Sequence, residues 1–197
     1  MAVASRCSLV FVLPARCRRP IVRCVLIRRE TPADIVAIAE VTTAAFAQPD
    51  QPSQGPPETA LIGALRGSTA WLRALSMVAT ELDGTVVGHV LATRGHVDGA
   101  PALALAPLSV HPDRQRRGVG SALMHAILGA ADALGEPLVA LLGSPRFYER
   151  FGFRPSTDYR IQPPVPQWRP YFQVRPLSAY DSTSQGTFTY PEPFDRL

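Results

Sequence analysis

The segment Val110-His111-Pro112-Asp113-Arg114-Gln115-Arg116-Arg117-Gly118-Val119-Gly120-Ser121 constrains this chain more than any other. Leu103 to Val110, which leads into it, is apolar almost throughout, the pattern of a central strand. An amphipathic helix follows, from about Val119 to Leu134, and ends at Gly135. A strand that becomes a helix through two glycines leaves backbone N–H groups facing outward at the helix N-terminus. Glycine removes the Cβ atoms that would hold a phosphate away, and the helix dipole adds partial positive charge. Arg116 and Arg117 add more beside it. Such a turn is built like a pyrophosphate cradle; the bland alternative is a structural glycine turn with solvated arginines. Two cradles are excluded. A P-loop needs Gly-Lys-Ser/Thr, and this chain has no lysine; the dinucleotide fingerprint needs glycine at 123, where leucine stands.

The flanking pattern gives an α/β fold. Val25 to Arg29 reads as a strand, and Thr31-Pro32 opens a helix running to about Phe46. Gln48 to Pro57 holds four prolines and reads as a loop, followed by a short helix over Glu58 to Arg66. Met77 to Leu82 and Thr85 to Thr93 read as strands joined by a tight turn at Asp83-Gly84. Leu138 to Leu142 reads as a strand buried on both sides, and Ser144-Pro145 caps a helix that ends at Phe151-Gly152. The tail, 155–197, is rich in proline but keeps strand-like pieces at Tyr171 to Arg175 and Thr187 to Tyr190. The order β-α-α-β-β-β-α-β-α-β-β predicts a mixed sheet.

At 197 residues the chain suits one domain. No apolar run reaches the roughly 18 residues that span a bilayer. All 20 basic residues are arginine, and five of them lie in the first 24 residues, which hold no acid. Residues 25–197 carry 15 arginines against 16 acids, a net charge of −1, so the overall pI near 9.3 is poor footing for binding nucleic acid. Residues 1–24 read as a basic leader, disordered or belonging to a start codon placed too early; residues 25–197 read as the domain. All three cysteines, Cys7, Cys17 and Cys24, fall in the leader, so the body has no thiol nucleophile and no cysteine metal site. The expectation is a cytoplasmic protein without a metal.

The strand-to-helix motif Gln115-x-x-Gly118-x-Gly120, with Val110-x-Pro112 before it and Tyr148-Glu149-Arg150-Phe151-Gly152-Phe153 after it, resembles the coenzyme A signature of the GNAT superfamily of N-acetyltransferases. The resemblance covers about Leu26 to Phe153. It implies an α/β fold of the α+β type: a mixed, mostly antiparallel sheet with a splayed parallel pair, flanked by about four helices. It implies acetyl-CoA as cosubstrate. The pantetheine arm would fit the splay, pairing with the backbone of Leu108, Ser109 and Val110, and a main-chain N–H near Leu108 would polarise the thioester carbonyl. Gln115, Arg116, Arg117, Gly118, Val119, Gly120 and Ser121 would hold the pyrophosphate. Pro107, lacking an N–H, suits a break in the ladder. Tyr148 matches the tyrosine that protonates the departing thiolate, against the alternative of a packing aromatic.

A base is harder to place, because the strand before the signature, where many members carry a glutamate, has no ionisable residue. Glu81 and His89 lead the candidates, with Glu58, His96 and Asp98 behind them. The acceptor wall would comprise Gln48 to Pro57 and Ile161 to Tyr190, whose few acids disfavour polyamines. The function expected is direct acetyl transfer to a primary amine, on a small molecule or peptide, in a ternary complex. The alternative is a coenzyme A-binding sensor or subunit without catalysis. Analogy adds a homodimer through the tail strands.

Overall fold

The structure, a computed structural model, describes residues 25–47 and 55–196. The basic leader and most of the Gln48 to Pro57 loop lie outside the described residues. In chain order the elements are β1 (Leu26–Arg29), α1 (Ile35–Phe46), α2 (Pro57–Arg66), β2 (Ser76–Thr80), β3 (Val86–Val97) and β4 (Ala100–Val110). There follow α3 (Val119–Ala133), β5 (Leu138–Leu142), α4 (Pro145–Tyr148), β6 (Arg154–Pro155), β7 (Ile161–Gln162), β8 (Phe172–Pro176) and β9 (Gly186–Thr189). The sheet order is β1-β2-β3-β4-β5-β8-β6, with β9 paired to both β3 and β7. Along the main order every neighbour is antiparallel except β4–β5. This is the predicted fold class.

Period-two alternation sorts the sheet's side chains into two layers. On one face Leu103, Leu105, Val139 and Leu141 pack under the apolar stripe of α3, Leu123, Met124 and Ile127. On the other, Val78 and Leu91 pack beneath α1 and α2, while Ala102, Ala104, Leu138 and Ala140 lie under the tail residues Phe172, Val174 and Phe188. The tail is therefore part of the core.

Two local features shape the functional end. β4 and β5 pair only at Leu103–Val139 and Ala104–Ala140. Farther along, Ala92 faces Leu105 and Val90 faces Leu108, so two steps on β3 meet three on β4 and Ala106-Pro107 bulges. A bulge bends its strand, and proline supplies no N–H there. β5 instead stays paired to β8 as far as Leu142–Phe172. One strand is held by β3, the other by β8, and the two part.

The turn at Asp83-Gly84 forms, but Leu82, read as the end of a strand, lies exposed in it, and β2 ends at Thr80. β3 and β4 are longer than expected because they meet at a second Asp-Gly turn. Asp98 and Gly99 both have positive φ, 43° and 86°, as a tight hairpin requires. Asp98, a candidate base, is thereby a turn residue, and its Oδ1 accepts the Thr187 N–H at 3.0 Å, tying down β9.

Candidate active site

A cleft of about 630 Å³ opens where β4 leaves β5. β4 contributes Leu108 and Val110, the signature loop Gln115, Arg116 and Gly118, and the start of α3 Gly120 and Ser121. Phe147 and Arg150 close it from the α4 side, and Ala45 and Phe46 from the end of α1.

Side chains brace the loop in addition to its backbone hydrogen bonds. His111 accepts the Asp113 N–H, Arg114 Nε donates to Glu81 Oε1 at 2.6 Å, and Gln115 Nε2 donates back to the Val110 carbonyl at 3.1 Å. Arg116 and Gly118 then take left-handed φ values of 57° and 85°. Gly118 is the N-cap of α3 and has no side chain to offer its first amides. The first turn's N–H groups have no intrahelical partner, so the cleft wall is an electropositive row of donors. A Cβ on Gly120 would come 3.6 Å from Val110 Cγ2 and 3.8 Å from Phe147 Cζ, so any longer side chain would fill the cleft. A phosphate and a slender arm fit this wall.

Tyr148 does not line the cleft but sits beside it. Its ring meets Phe147 edge-on at 4.8 Å and Phe153 at 5.8 Å. It lies so close over the turn after β5 that a Cβ on Gly143 would fall 2.4 Å from its Cε2. Burial pushes its phenol up to about 12, so it is a donor at neutral pH. Gly143 is braced in turn, its N–H donating to the Tyr171 carbonyl and its carbonyl accepting from buried Gln173, each at 2.9 Å.

The two leading base candidates are engaged elsewhere. Glu81 binds Arg114, so it anchors the loop. His89 is fully buried on the α1/α2 side, with Nε2 2.9 Å from Ser76 Oγ and 3.3 Å from Glu30 Oε2. Ser76 donates to Glu30 Oε2, which leaves Ser76 Oγ to accept from a protonated Nε2. Burial lowers the His89 pKa and holds the ring neutral, and its Nδ1 has no partner among the described residues. Arg66 completes this cluster at 2.9 Å from Glu30 Oε1. Burial pushes the Glu30 carboxyl up, but hydrogen bonds from His89, Arg66 and Ser76 outweigh it and bring it down to about 2. His96 is exposed on β3, and Glu58 is half-buried in the first turn of α2. Neither lines the cleft.

Of the residues expected to hold a cosubstrate, Leu108, Val110, Gln115, Arg116, Gly118, Gly120 and Ser121 line the cleft. Ser109 faces the other way, its hydroxyl 3.1 Å from that of Thr42 on α1. Val119 is buried in the core and Arg117 is exposed, so only their backbones could serve. Ala45, Phe46, Phe147 and Arg150 line the cleft as well, outside the signature; the only sequence signal of the first two is an apolar pair closing a helix just before a proline-rich loop.

Residues 73–155 match the acetyltransferase (GNAT) domain family. The uncharacterised N-acetyltransferase YjhQ of Escherichia coli K12 is 30% identical over 169 residues, 82% of this chain and 89% of its own. The chain belongs to the GNAT family. YhbS of Escherichia coli K12, also an uncharacterised N-acetyltransferase, is 29% identical over 176 residues, covering 87% of this chain and 99% of its own. A crystal structure of YhbS in complex with CoA superposes with a TM-score of 0.78, at 28% identity, covering 88% of this chain and 93% of that one. A GNAT acetyltransferase of Brucella melitensis in complex with acetyl-CoA gives 0.69 at 31% identity, covering 88% and 99%. Among the described residues no helix is long and apolar enough to cross a membrane.

Proposed function

We propose that this GNAT protein binds acetyl-CoA in the β4–β5 cleft and transfers its acetyl group to a primary amine in a ternary complex. One observation carries the reading. The partly open sheet leaves β4 beyond Ala104 without a partner on the β5 side, directly beside an unsatisfied helix N-terminus. Backbone groups there need partners, and the amides of a pantetheine arm supply them. The complexes of YhbS with CoA and of the Brucella protein with acetyl-CoA support this.

In the transfer, the amine nitrogen bonds to the acetyl carbon and gives up one proton to solvent, the carbon–sulfur bond breaks, the sulfur takes a proton from a side-chain donor, and solvent returns a proton to that donor. Each residue then has a physical task. The first amides of α3, with Arg116 and Arg150 at the rim, hold the pyrophosphate. The backbone of Leu108 to Val110 orients the arm, and the N–H near Leu108 stabilises charge growing on the carbonyl oxygen. Tyr148 supplies the proton to the sulfur. Glu81 keeps Arg114, and with it the loop, in place.

The test is thermal unfolding of the full chain with and without acetyl-CoA, followed by thiol release on adding amines. Ligand at about 100 times its Kd adds roughly 2.7 kcal/mol. At about 2–4 °C per kcal/mol for this size, the Tm rises by some 5–10 °C. The variant G118D/G120D, with charge and bulk in the cradle, shows no rise. No rise in the unmodified protein overturns the reading. A rise without thiol release from any amine leaves a coenzyme-binding protein that does not catalyse.

A further inference from the structure

Tyr148 stands on a segment too short to hold itself. α4 has four residues and passes into a 3-10 turn over Glu149–Phe151, and its N-cap, Ser144, makes no side-chain capping bond. So short a helix takes its position from what it packs against. The rings of Phe147, Tyr148, Phe151 and Phe153 supply apolar cover, but apolar cover has no direction and does not fix a register. Hydrogen bonds from one strand, β8, fix both ends instead. At the start, Gln173 Nε2 donates to the Gly143 carbonyl at 2.9 Å, and the Gly143 N–H donates to the Tyr171 carbonyl. At the end, Arg175 donates through Nη1 to the Phe151 carbonyl.

Gln173 and Arg175 are two apart on a strand and so share a face. It is the face of their cross-strand partners Leu141 and Val139, which pack under α3, while Phe172 and Val174 take the tail face. Gln173 is 2% exposed within this otherwise apolar layer. Packing alone asks for an apolar side chain there, and a buried amide is costly unless it is bonded. The bond it makes is to the residue against which the Tyr148 ring rests. Both side chains lie beyond residue 155, where the match to the GNAT domain family ends. Resting on the acetyl-transfer reading with Tyr148 as proton donor, we infer that Gln173 and Arg175 are positioning residues for the reaction. They form a two-point clamp from β8 that sets where the Tyr148 hydroxyl meets the leaving sulfur.

The test is a double-mutant cycle on the full chain, at saturating acetyl-CoA and with whichever of 2-phenylethylamine, ethanolamine and spermidine releases thiol fastest. Methionine has nearly the length of glutamine and cannot donate, so Q173M removes the bond and keeps the volume. It lowers kcat by about tenfold or more, the cost of a reacting group held slightly out of line. The acetyl-CoA thermal shift and the KM for acetyl-CoA stay unchanged. In the Y148F background the same substitution costs nothing further, because residues that act as one unit are not additive. R175M, at the less buried end of the clamp, repeats the cycle, and R175K, which can still donate to the Phe151 carbonyl, recovers rate. An unchanged kcat in either methionine variant, or an equal loss with and without the Tyr148 hydroxyl, overturns the inference and leaves Tyr148 as the donor. Loss of the thermal shift in both variants makes their role structural and overturns it too. A Y148F enzyme as fast as the unmodified one removes the proton-donor reading and the inference together, as does the absence of thiol release from all three amines.

Discussion

At the scale of single residues, Tyr148 can be read as packing or as chemistry, and one atom separates the two. Its ring contacts survive in Y148F, so the stability should change little. The phenol, raised to about 12 by burial, keeps its proton through the working range. If it feeds the leaving sulfur, Y148F lowers kcat by about 10²–10⁴-fold and leaves the acetyl-CoA thermal shift intact. Steady-state kinetics with an amine that supports thiol release check this, and an unchanged kcat returns Tyr148 to the core. The buried Glu30–His89 cluster makes a different prediction, about pH. His89 lies below its ordinary 6.5, so its contribution to stability is full above that pH and is lost as pH falls. Glu30, brought down from 4.5 to about 2, contributes fully above 4.5 and less toward 2. The Tm therefore falls between pH 7 and 5, and H89Q, which cannot take up the proton, flattens that part of the curve. A wild-type Tm constant from pH 7 to 5 would contradict the buried neutral ring. Sequence points to His89 but not to its partners, because Glu30 follows β1 while Arg66 and Ser76 lie in α2 and β2, and they meet only when the sheet assembles.

At the scale of elements, the strand–turn–helix around Gly118 was legible because its geometry is local: glycines, a proline and a helix start occupy a dozen consecutive residues. The turn at Asp98-Gly99 carries the same local signal as Asp83-Gly84. The sequence pattern stops at Thr93 because Arg94-Gly95-His96, small or polar, mask the continuation of β3 to Val97. The two-residue strands β6 and β7 have no period to read. Gly143 shows what neither pattern nor spacing could reveal, a glycine needed by an aromatic ring five residues on. In G143A the added methyl must push the Tyr148 ring aside. The variant should reproduce the loss of kcat expected of Y148F while keeping cosubstrate binding, and an unchanged kcat would show that the ring's position does not matter. β9 is tied to its neighbours by similar closeness. Phe188 is fully buried, and its Cζ would lie 2.7 Å from a Cβ on Gly95. F188A should cost about 3–5 kcal/mol, seen as a lower midpoint in urea.

At the scale of the whole molecule, the proline-rich tail is a structural layer. Its β8 holds β5 away from β4, and its final turn reaches back so that Phe194 packs beside both the tail cluster and the α1/α2 cluster. Its composition is that of irregular chain, yet the strand-like pieces at Tyr171 to Arg175 and Thr187 to Tyr190 become β8 and β9, and the partners that order them lie tens of residues upstream. Ending the chain after Gln185 removes β9 and Phe194 together. Unfolding should then move well below the full-chain Tm, as calorimetry would show.

The gap between β4 and β5 also bears on how the molecule is counted. A sheet that stops pairing after two residues is a sheet with a vacancy, and under the proposed function a small molecule takes the missing place in the ladder. Cosubstrate binding then becomes the last step of folding, carried out afresh in every catalytic cycle. Amide hydrogen exchange along 105–110 should report it, slowing when acetyl-CoA enters and quickening when the spent coenzyme leaves. The rest of the sheet would keep one steady rate.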